Sequence, residues 1–312
     1  MSRKPVVAIM YDFDKTLSTK DMQEFNFIPN VGSTPAEFWS EVKELSTKEK
    51  MDNNLAYMYL MIDKSNGMKK SVHRRDFVDL GKNVEYFPGV EDWFKRINEY
   101  GKSKQVTIEH YIISSGIAEI IEGTSIRKYF KEVYACEFYY DQNDVAVWPK
   151  NVVNFTTKTQ YVYRINKGAL DPSDNDTINK YVPDEDRPIP FRNMIYIGDG
   201  LTDVPGMKVV KANGGHSIAV YSSRRKEIAR ELIRDGRVNL LSKADYSKDS
   251  DLDVKVKAII DQISASHVLY LKESADRKEV HRELQSKSNC SKNKSSCEKS
   301  KLLQKHDDVQ LL

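Results

Sequence analysis

The sequence predicts an α/β fold with a mainly parallel sheet, and three observations lead to it. Short runs rich in β-branched residues, the first being Val6–Tyr11, alternate with segments in which apolar residues recur at helical spacing. The runs are apolar throughout, which is typical of parallel strands buried on both faces. Three of them are followed by polar residues, namely Asp12, Ser114 and Asp199. Because ligands bind beyond the carboxyl ends of such strands, we expect these side chains to share one crevice.

The predicted elements follow in order along the chain. Residues 19–86 carry apolar residues at helical spacing, as in Phe38, Val42 and Leu45, and indicate an insertion of about four helices. Further strands are predicted at residues 107–113, 193–197 and 217–221, with a hairpin of 131–140 and 145–155 around an Asp-Gln-Asn-Asp turn. Further helices are predicted at residues 90–100, 117–121, 157–170, 202–211, 224–234 and 254–271, with a loop at 171–190. This alternation predicts a Rossmann-like, doubly wound sheet with right-handed crossovers.

Composition excludes several classes of protein. The 312 residues are 39% hydrophobic, which is enough to bury the core of one large domain or two modest ones. The 49 basic and 46 acidic residues leave a net charge of +3, which gives no support for nucleic-acid or membrane binding by the whole surface. There is no apolar run of the ~20 residues that a membrane span needs, no recognisable signal peptide and, with 3 Cys, no disulfide framework. We therefore expect a cytoplasmic protein.

Residues 273–312 form a tail rich in Lys and Ser, which we predict to be mostly disordered. Its lysines include Lys287, Lys292, Lys294, Lys299 and Lys301. One hypothesis is that this basic tail binds a partner. It has no aromatic residue on which a base could stack, so a solubilising tail is favoured and nucleic acid is not an expected partner.

The segment Asp12-Phe13-Asp14 places two carboxylates one residue apart, directly after a strand. One carboxylate can attack phosphorus to form an aspartyl-phosphate, while a second carboxylic acid protonates the leaving oxygen and then activates water. Carboxylates crowded at one edge repel each other unless a hard cation such as Mg²⁺ binds to their oxygens. Alone, an Asp-x-Asp pattern is more often a turn or a helix cap, so other segments must support this interpretation.

A second acidic segment, Gly198-Asp199-Gly200-Leu201-Thr202-Asp203, follows another buried strand. Its glycines let the backbone approach a ligand, and Asp199 and Asp203 add carboxylate oxygens at the same sheet edge. Asp203 is also interpreted as a carboxylate in the first turn of a helix, where the macrodipole favours it.

Ser114 and Lys167 are candidates for anion binding. Ser114 offers a hydroxyl, and the N–H groups of Ser115 and Gly116 open a predicted helix, which is a favourable position for an anion. Lys167 would neutralise both a phosphate and the carboxylates, although an isolated Lys is usually solvated.

These segments, in this order, resemble the four motifs of the haloacid dehalogenase (HAD) superfamily of phosphohydrolases: Asp12-Phe13-Asp14-Lys15-Thr16-Leu17, Ser114, Lys167 and Gly198-Asp199-Gly200-Leu201-Thr202-Asp203. The resemblance implies that Asp12 is the nucleophile and Asp14 the general acid and base. It implies that Ser114 and Lys167 hold the phosphoryl group, with Thr16, Ser115 and Gly116 as further candidates. It implies Mg²⁺ bound by the Asp12 carboxylate, the Asp14 backbone carbonyl and Asp199, with Asp203 supporting the site beside the metal.

The helical insertion lies between the first two motifs, where this superfamily has a cap domain that closes over small substrates. The resemblance therefore divides the chain into a core of residues 1–18 and 87–272, a cap of residues 19–86, and the tail. The layout is most similar to the phosphoserine phosphatase-like branch, which has a Glu nine residues after the nucleophile. Here that position is Asp21, which is interpreted equally well as the start of a helix. Arg74 or Arg75 would be the Arg expected from the cap.

The leading hypothesis is a Mg²⁺-dependent phosphomonoester hydrolase that acts on a small phosphorylated metabolite through an aspartyl-phosphate. Asp14 argues against the dehalogenases of the superfamily, which lack this second Asp, and against its phosphonate hydrolases, which have a small residue there. A phosphosugar mutase keeps both carboxylates and is the enzymatic alternative. An interaction protein that uses its basic tail is the alternative from a different class.

Overall fold

A computed structural model describes the backbone of residues 4–223 and 225–307 and the side chains of residues 4–184, 186–223 and 225–282. Within these residues one seven-stranded sheet is formed by β1 (Val6–Tyr11), β2 (Thr107–Ile117), β3 (Phe130–Tyr140), β4 (Ala146–Asn151), β5 (Met194–Gly198), β6 (His216–Tyr221) and β7 (Leu240–Lys243). The strand order is β4-β3-β2-β1-β5-β6-β7, and all neighbouring pairs are parallel except β3 and β4. The predicted α/β, mainly parallel fold is confirmed, including its hairpin.

The helices are α1 (Phe27–Asn30), α2 (Pro35–Glu49), α3 (Asn53–Gly67), α4 (Arg74–Gly81), α5 (Val90–Ser103), α6 (Ala118–Glu122), α7 (Lys158–Lys167), α8 (Asn175–Asn179), α9 (Val204–Ala212), α10 (Lys226–Arg234) and α11 (Asp251–Asp307). Helices α1 to α4 make up the predicted insertion between β1 and β2. Residues up to Ser264 form one structural unit and residues from Ala265 onward form a second. The further division of the first unit into core and cap stays a prediction.

The strands lie at the centre of the core because their side chains are apolar on both faces. Val7, Ala8, Ile9 and Met10 of β1 have no exposed surface, and β1 pairs with β2 on one side and β5 on the other. Burial of this much apolar surface is the main stabilising contribution to such a sheet. The central position of β1 brings its carboxyl end next to the carboxyl ends of both neighbours.

Side-chain contacts attach the helical insertion to the carboxyl edge of the sheet. The Tyr57 hydroxyl of α3 donates a hydrogen bond to the Ser115 carbonyl at 2.7 Å, and the Phe77 ring of α4 stacks on Phe138 of β3 at 5.2 Å. Helix α2 begins at a capping box, in which Thr34 Oγ1 accepts from the Glu37 N–H at 3.3 Å. The insertion therefore covers the edge at which the polar strand ends meet.

Two elements differ from the prediction near the site. Strand β2 continues to Ile117, and α6 begins only at Ala118, so Ser115 and Gly116 lie in an irregular strand end rather than at a helix start. The pairing register with β3 shifts between Ile113 and Ile117, which the apolar pattern does not reveal. Strand β7 was not predicted, because its four residues are too short to show a strand pattern.

Helix α11 is much longer than its predicted range of 254–271 and continues to Asp307. The backbone of the tail up to Asp307 is therefore helical, which differs from the predicted disorder. The sequence from Asp251 onward contains no Gly or Pro, and its ten Lys and eight Leu favour a helix. The side chains of the tail lysines lie outside the described residues. None of the described helices is long and apolar enough to cross a membrane.

Candidate active site

The ends of β1, β2 and β5 bring three predicted site residues to one cavity of about 580 Å³, as their positions after the strands led us to expect. Asp12 follows β1 directly, and its N–H donates to the Ile197 carbonyl of β5 at 3.0 Å. Ser114 lies in β2, and Asp199 follows β5. All three side chains are buried and line the cavity.

Lys158 of α7 is the lysine at this site. Its side chain has no exposed surface, and its Nζ lies 2.9 Å from Asp12 Oδ1 and 2.7 Å from Asp203 Oδ1. Burial disfavours the ammonium ion, but the charges of Asp12 and Asp203 outweigh burial and raise the pKa of Lys158 well above its usual value. The lysine is therefore held as a cation between two carboxylates.

The prediction that Lys167 holds the phosphoryl group is wrong for this structure. Lys167 is the last residue of α7, and its Nζ donates to the carbonyls of Ile178 at 2.6 Å and Lys180 at 2.9 Å. Nine residues separate it from Lys158, which corresponds to about 180° around an α-helix and ~13 Å along its axis. The two lysines therefore lie on opposite faces, and the face of Lys158 meets the site.

Asn154 caps the turn that leads into helix α7. Asn154 Oδ1 accepts from the N–H groups of Thr156 at 3.1 Å and Thr157 at 2.9 Å, while the Lys158 N–H donates to the Asn154 carbonyl at 3.0 Å. The apolar residues three, four and seven positions after Lys158 are also buried, which places Lys158 on the inward face. This periodicity is the sequence signal that distinguishes Lys158 from Lys167.

Three acidic side chains could hold a metal ion. Asp12, Asp199 and Asp203 are buried, and each offers a carboxylate oxygen within 4.8 Å of the other two. Burial, and then the charge of Asp203, raises the pKa of Asp12 to about 6. Burial, and then the charges of Asp12 and Asp203, raises the pKa of Asp199 to about 7. Closely spaced, mutually repelling oxygen donors are chemically suited to a hard divalent cation such as Mg²⁺.

Arg225, which was not predicted as a site residue, forms an ion pair with Asp199 at the edge of the cavity. Its guanidinium group opposes the rise in the pKa of Asp199. Lys15 also lines the cavity and pairs with Asp21. The sequence does not show that either cation lies at the site. Each residue is in a loop, where the direction of the side chain depends on the loop conformation.

The Asp14 side chain lines the same cavity and contacts the start of the insertion. Its Oδ1 accepts from the Met22 N–H at 2.9 Å and from Ser18 Oγ at 3.4 Å. Burial, followed by the charges of Asp21 and Asp12, raises the pKa of Asp14 well above its usual value. A carboxyl group whose pKa is raised in this way is suited to act as a general acid.

The remaining candidates for phosphate binding differ in position. Ser114 Oγ accepts from the Gly116 N–H at 3.0 Å, and Ser115 Oγ donates to the Val153 carbonyl at 2.8 Å. A Cβ on Gly116 would lie 2.2 Å from Met22 Cε, so the end of the Met22 side chain would have to move to admit one. Thr16 is fully buried, is not part of the cavity lining, and its Oγ1 has no hydrogen-bond partner in the described residues.

The insertion supplies the opposite wall of the cavity, through Trp39, Val42, Lys43, Asn53, Asn54 and Tyr57. Asp21 lines the cavity as well, next to Lys15. Arg74 and Arg75 do not line it, which contradicts their predicted place near the substrate. Arg74 pairs with Glu122, and Arg75 lies 3.9 Å from Asp76 at the surface. Helix α4, which carries both, packs against α6 instead of facing the cavity.

The fold gives the class of protein: the chain has the fold of HAD-family hydrolases. It is 18% identical to a HAD family hydrolase of Salmonella enterica subsp. enterica serovar Typhi, with a TM-score of 0.50 over 72% of this chain, and it spans 66% of that protein. It is 14% identical to a probable phosphoserine phosphatase from Vibrio cholerae, with a TM-score of 0.54 over 85% of this chain and 67% of the other. At these identities the likeness concerns the fold alone.

More particularly, the chain belongs to the same family as an uncharacterized protein of Borreliella burgdorferi (strain ATCC 35210 / DSM 4680 / CIP 102532 / B31). The two are 30% identical over 277 residues, which cover 80% of this chain and 95% of the relative. No family model matches the chain.

Proposed function

We propose that this protein is a Mg²⁺-dependent phosphomonoester hydrolase that acts on a small phosphorylated metabolite through an aspartyl-phosphate on Asp12. The observation that carries the proposal is the buried arrangement of Asp12 against Lys158, 2.9 Å away, with Asp14, whose side chain lines the same cavity, two residues along the chain. This arrangement supports the assignment of a nucleophile, a cation that receives the phosphoryl group and a proton donor to one cavity. The HAD-type fold agrees with this arrangement.

In the first step an Asp12 carboxylate oxygen attacks phosphorus, and the bond from phosphorus to the ester oxygen breaks. Asp14 gives its proton to that oxygen, so the alcohol leaves in neutral form. Lys158 neutralises charge on the transferring group, and Asp203 keeps the Lys158 ammonium group in position through the 2.7 Å contact. Ser114 offers a further hydrogen bond to the phosphoryl oxygens.

In the second step the Asp14 carboxylate, now without its proton, accepts a proton from water. The resulting hydroxide attacks phosphorus, the bond between phosphorus and the Asp12 oxygen breaks, and inorganic phosphate leaves. The insertion wall, which includes Trp39 and Val42, presents apolar surface to the cavity. Asp14 thus returns to its initial protonation state, and atoms and charges balance over the cycle.

Mg²⁺ would be held by the Asp12 and Asp199 carboxylates and the Asp14 backbone carbonyl. When bound, it supplies positive charge that offsets the repulsion between the acidic groups and the phosphate. We also propose that residues 19–86 act as a cap and that Asp21 contributes to substrate selection, as in the phosphoserine phosphatase-like branch.

The proposal is tested by the Asp12→Asn variant, with release of inorganic phosphate from p-nitrophenyl phosphate and a phosphometabolite panel as the measurement. We expect the rate to fall at least about a thousand-fold, because the amide is a poor nucleophile. Asp63→Asn is the matched control, since Asp63 is exposed on α3. Substantial turnover by Asp12→Asn would contradict the proposal, as would a rearranged sugar phosphate formed without phosphate release.

A further inference from the structure

Arg225 contacts one of the carboxylates that could hold a metal ion. Its Nη1 atom forms an ion pair with Asp199 Oδ2, and a Cβ on Gly200 would lie 3.7 Å from its Nη2 atom. Both nitrogens therefore lie at the turn that follows β5, beside the acidic cluster that Asp199 forms with Asp12 and Asp203. The guanidinium group is thus placed, atom by atom, against a candidate metal ligand.

Two cations contact this acidic cluster within the described residues, and they differ in how firmly they are held. Lys158 has no exposed surface and lies between two carboxylates, 2.9 Å from Asp12 and 2.7 Å from Asp203. Arg225 contacts a single carboxylate, and its side chain is 37% exposed. An exposed guanidinium group can exchange a carboxylate for water at little cost, whereas removal of Lys158 would leave buried charges uncompensated. Arg225 is therefore the cation that can leave the cluster.

The position of Arg225 in the chain allows its side chain to move alone. The residue lies between the end of β6 at Tyr221 and the start of α10 at Lys226. Its N–H donates to the Ser222 carbonyl at 2.9 Å, which holds the backbone in a turn. A new direction of the side chain needs rotation about its own bonds, which is fast for an exposed residue, and no change in the sheet or in α10.

A metal ion and this guanidinium group compete for the same carboxylate. An oxygen of Asp199 that accepts from Arg225 has to weaken or give up this hydrogen bond to become a metal ligand. A divalent cation on the other oxygen of Asp199 would still lie within a few ångströms of the guanidinium charge. Because the carboxylate is largely buried, solvent screens the repulsion between these two cations only in part.

We propose that Arg225 is a competitor of the metal ion: it pairs with Asp199 at low Mg²⁺ concentration, releases it when Mg²⁺ binds, and thereby lowers the affinity of the site for Mg²⁺. The acidic cluster then keeps a counter-charge in the folded protein before the metal binds. Mg²⁺ fills the site at higher concentrations than the carboxylates alone would require. This inference rests on the Mg²⁺ site of the proposed function and deepens it, and it assigns Arg225 no part in the chemical steps.

The first test is titration calorimetry with MgCl₂, at constant ionic strength and without substrate, on the wild-type protein and on Arg225→Met. We expect Arg225→Met to bind Mg²⁺ about three- to thirty-fold more tightly, because the ion no longer has to displace a guanidinium group or bind beside it. Arg225→Lys keeps the positive charge and should resemble the wild-type protein more closely than Arg225→Met does. Arg230→Met is the matched control and should leave the Kd unchanged, since Arg230 is exposed on α10, where it pairs with Glu227.

The second test needs no variant. Phenylglyoxal modifies accessible guanidinium groups, and mass spectrometry of the digested protein gives the extent of modification at Arg225 and, as an internal reference, at Arg230. We expect MgCl₂, compared with NaCl at the same ionic strength, to increase the ratio of modification at Arg225 to that at Arg230. The reason is that the guanidinium group of Arg225 loses its carboxylate partner when the metal binds.

The outcomes separate this inference from the proposed function. If the wild-type protein binds no Mg²⁺, the metal site of the proposed function fails and this inference fails with it. If the wild-type protein binds Mg²⁺ but Arg225→Met binds it equally or more weakly, this inference alone is overturned. A modification ratio that Mg²⁺ leaves unchanged or lowers would overturn it as well, and this measurement decides alone if Arg225→Met does not fold.

Discussion

Lys158 and Lys167 lie on one helix, but their side chains contact different groups, and these contacts decide which lysine can act at the site. Lys158 is fully buried between two carboxylates, whereas Lys167 binds two backbone carbonyls of the loop that follows. A prediction follows for Lys158→Met, which keeps the volume of the side chain and removes its charge. We expect phosphate release to fall at least about a hundred-fold, because the positive charge at the transferring group is lost.

The same variant should also lower the free energy of unfolding, by about 3 kcal/mol, since Asp12 and Asp203 lose the cation between them. Lys167→Met is the matched control and should lose about 1 kcal/mol from its hydrogen bonds while it keeps nearly the wild-type rate. Enzyme assays and urea unfolding curves measure both quantities. Equal loss of activity in the two variants would contradict the assignment of Lys158.

At the scale of elements, α4 and α6 approach so closely that only glycine fits between them. A Cβ on Gly81 would lie 2.1 Å from the Ile120 carbonyl oxygen, and one on Gly123 would lie 1.8 Å from the Val78 carbonyl oxygen. Backbone atoms cannot move aside as a flexible side chain can. This contact fixes α4 against the core and accounts for the position of Arg74, which α4 carries away from the cavity.

We therefore predict that Gly81→Ala lowers the free energy of unfolding by about 1–3 kcal/mol, because the added methyl group forces the two helices apart. Gly67→Ala is the control, since a Cβ there meets nothing within 4 Å and the residue lies in helix α3. This control should be neutral or stabilise the protein by up to ~1 kcal/mol. Urea unfolding of both variants checks the prediction, and an equally stable Gly81→Ala would show that the helices can separate at no cost.

For the whole molecule, the acidic cluster connects metal binding to folding. Asp12, Asp199 and Asp203 come together only in the folded chain, because Asp12 lies far in sequence from Asp199 and Asp203. A ligand that binds the folded state alone stabilises it, by about 2.7 kcal/mol when present at a hundred times its Kd. Mg²⁺ should therefore raise the melting temperature, compared with NaCl at the same ionic strength.

Asp199→Asn should remove most of this thermal gain, because one oxygen donor loses its charge. The variant should not destabilise the metal-free protein, since it removes a carboxylate whose pKa is raised to about 7 by burial and then by the charges of Asp12 and Asp203. Arg225, its partner, has a side chain 37% exposed and can be solvated by water instead. Differential scanning calorimetry measures both effects. An undiminished Mg²⁺ effect in Asp199→Asn would show that the metal binds elsewhere.

The sequence alone determined the α/β class and the positions of Asp12, Ser114 and Asp199 at strand ends, because apolar runs and their polar boundaries are local patterns. Only the tertiary structure decided that Lys158 is the lysine at the site, since its contact with Asp12 joins residues 146 positions apart. It also decided that Arg74 and Arg75 lie elsewhere and that Arg225 reaches the cavity. Local pattern sets where an element ends, whereas the face that an element turns toward a site depends on packing between distant segments.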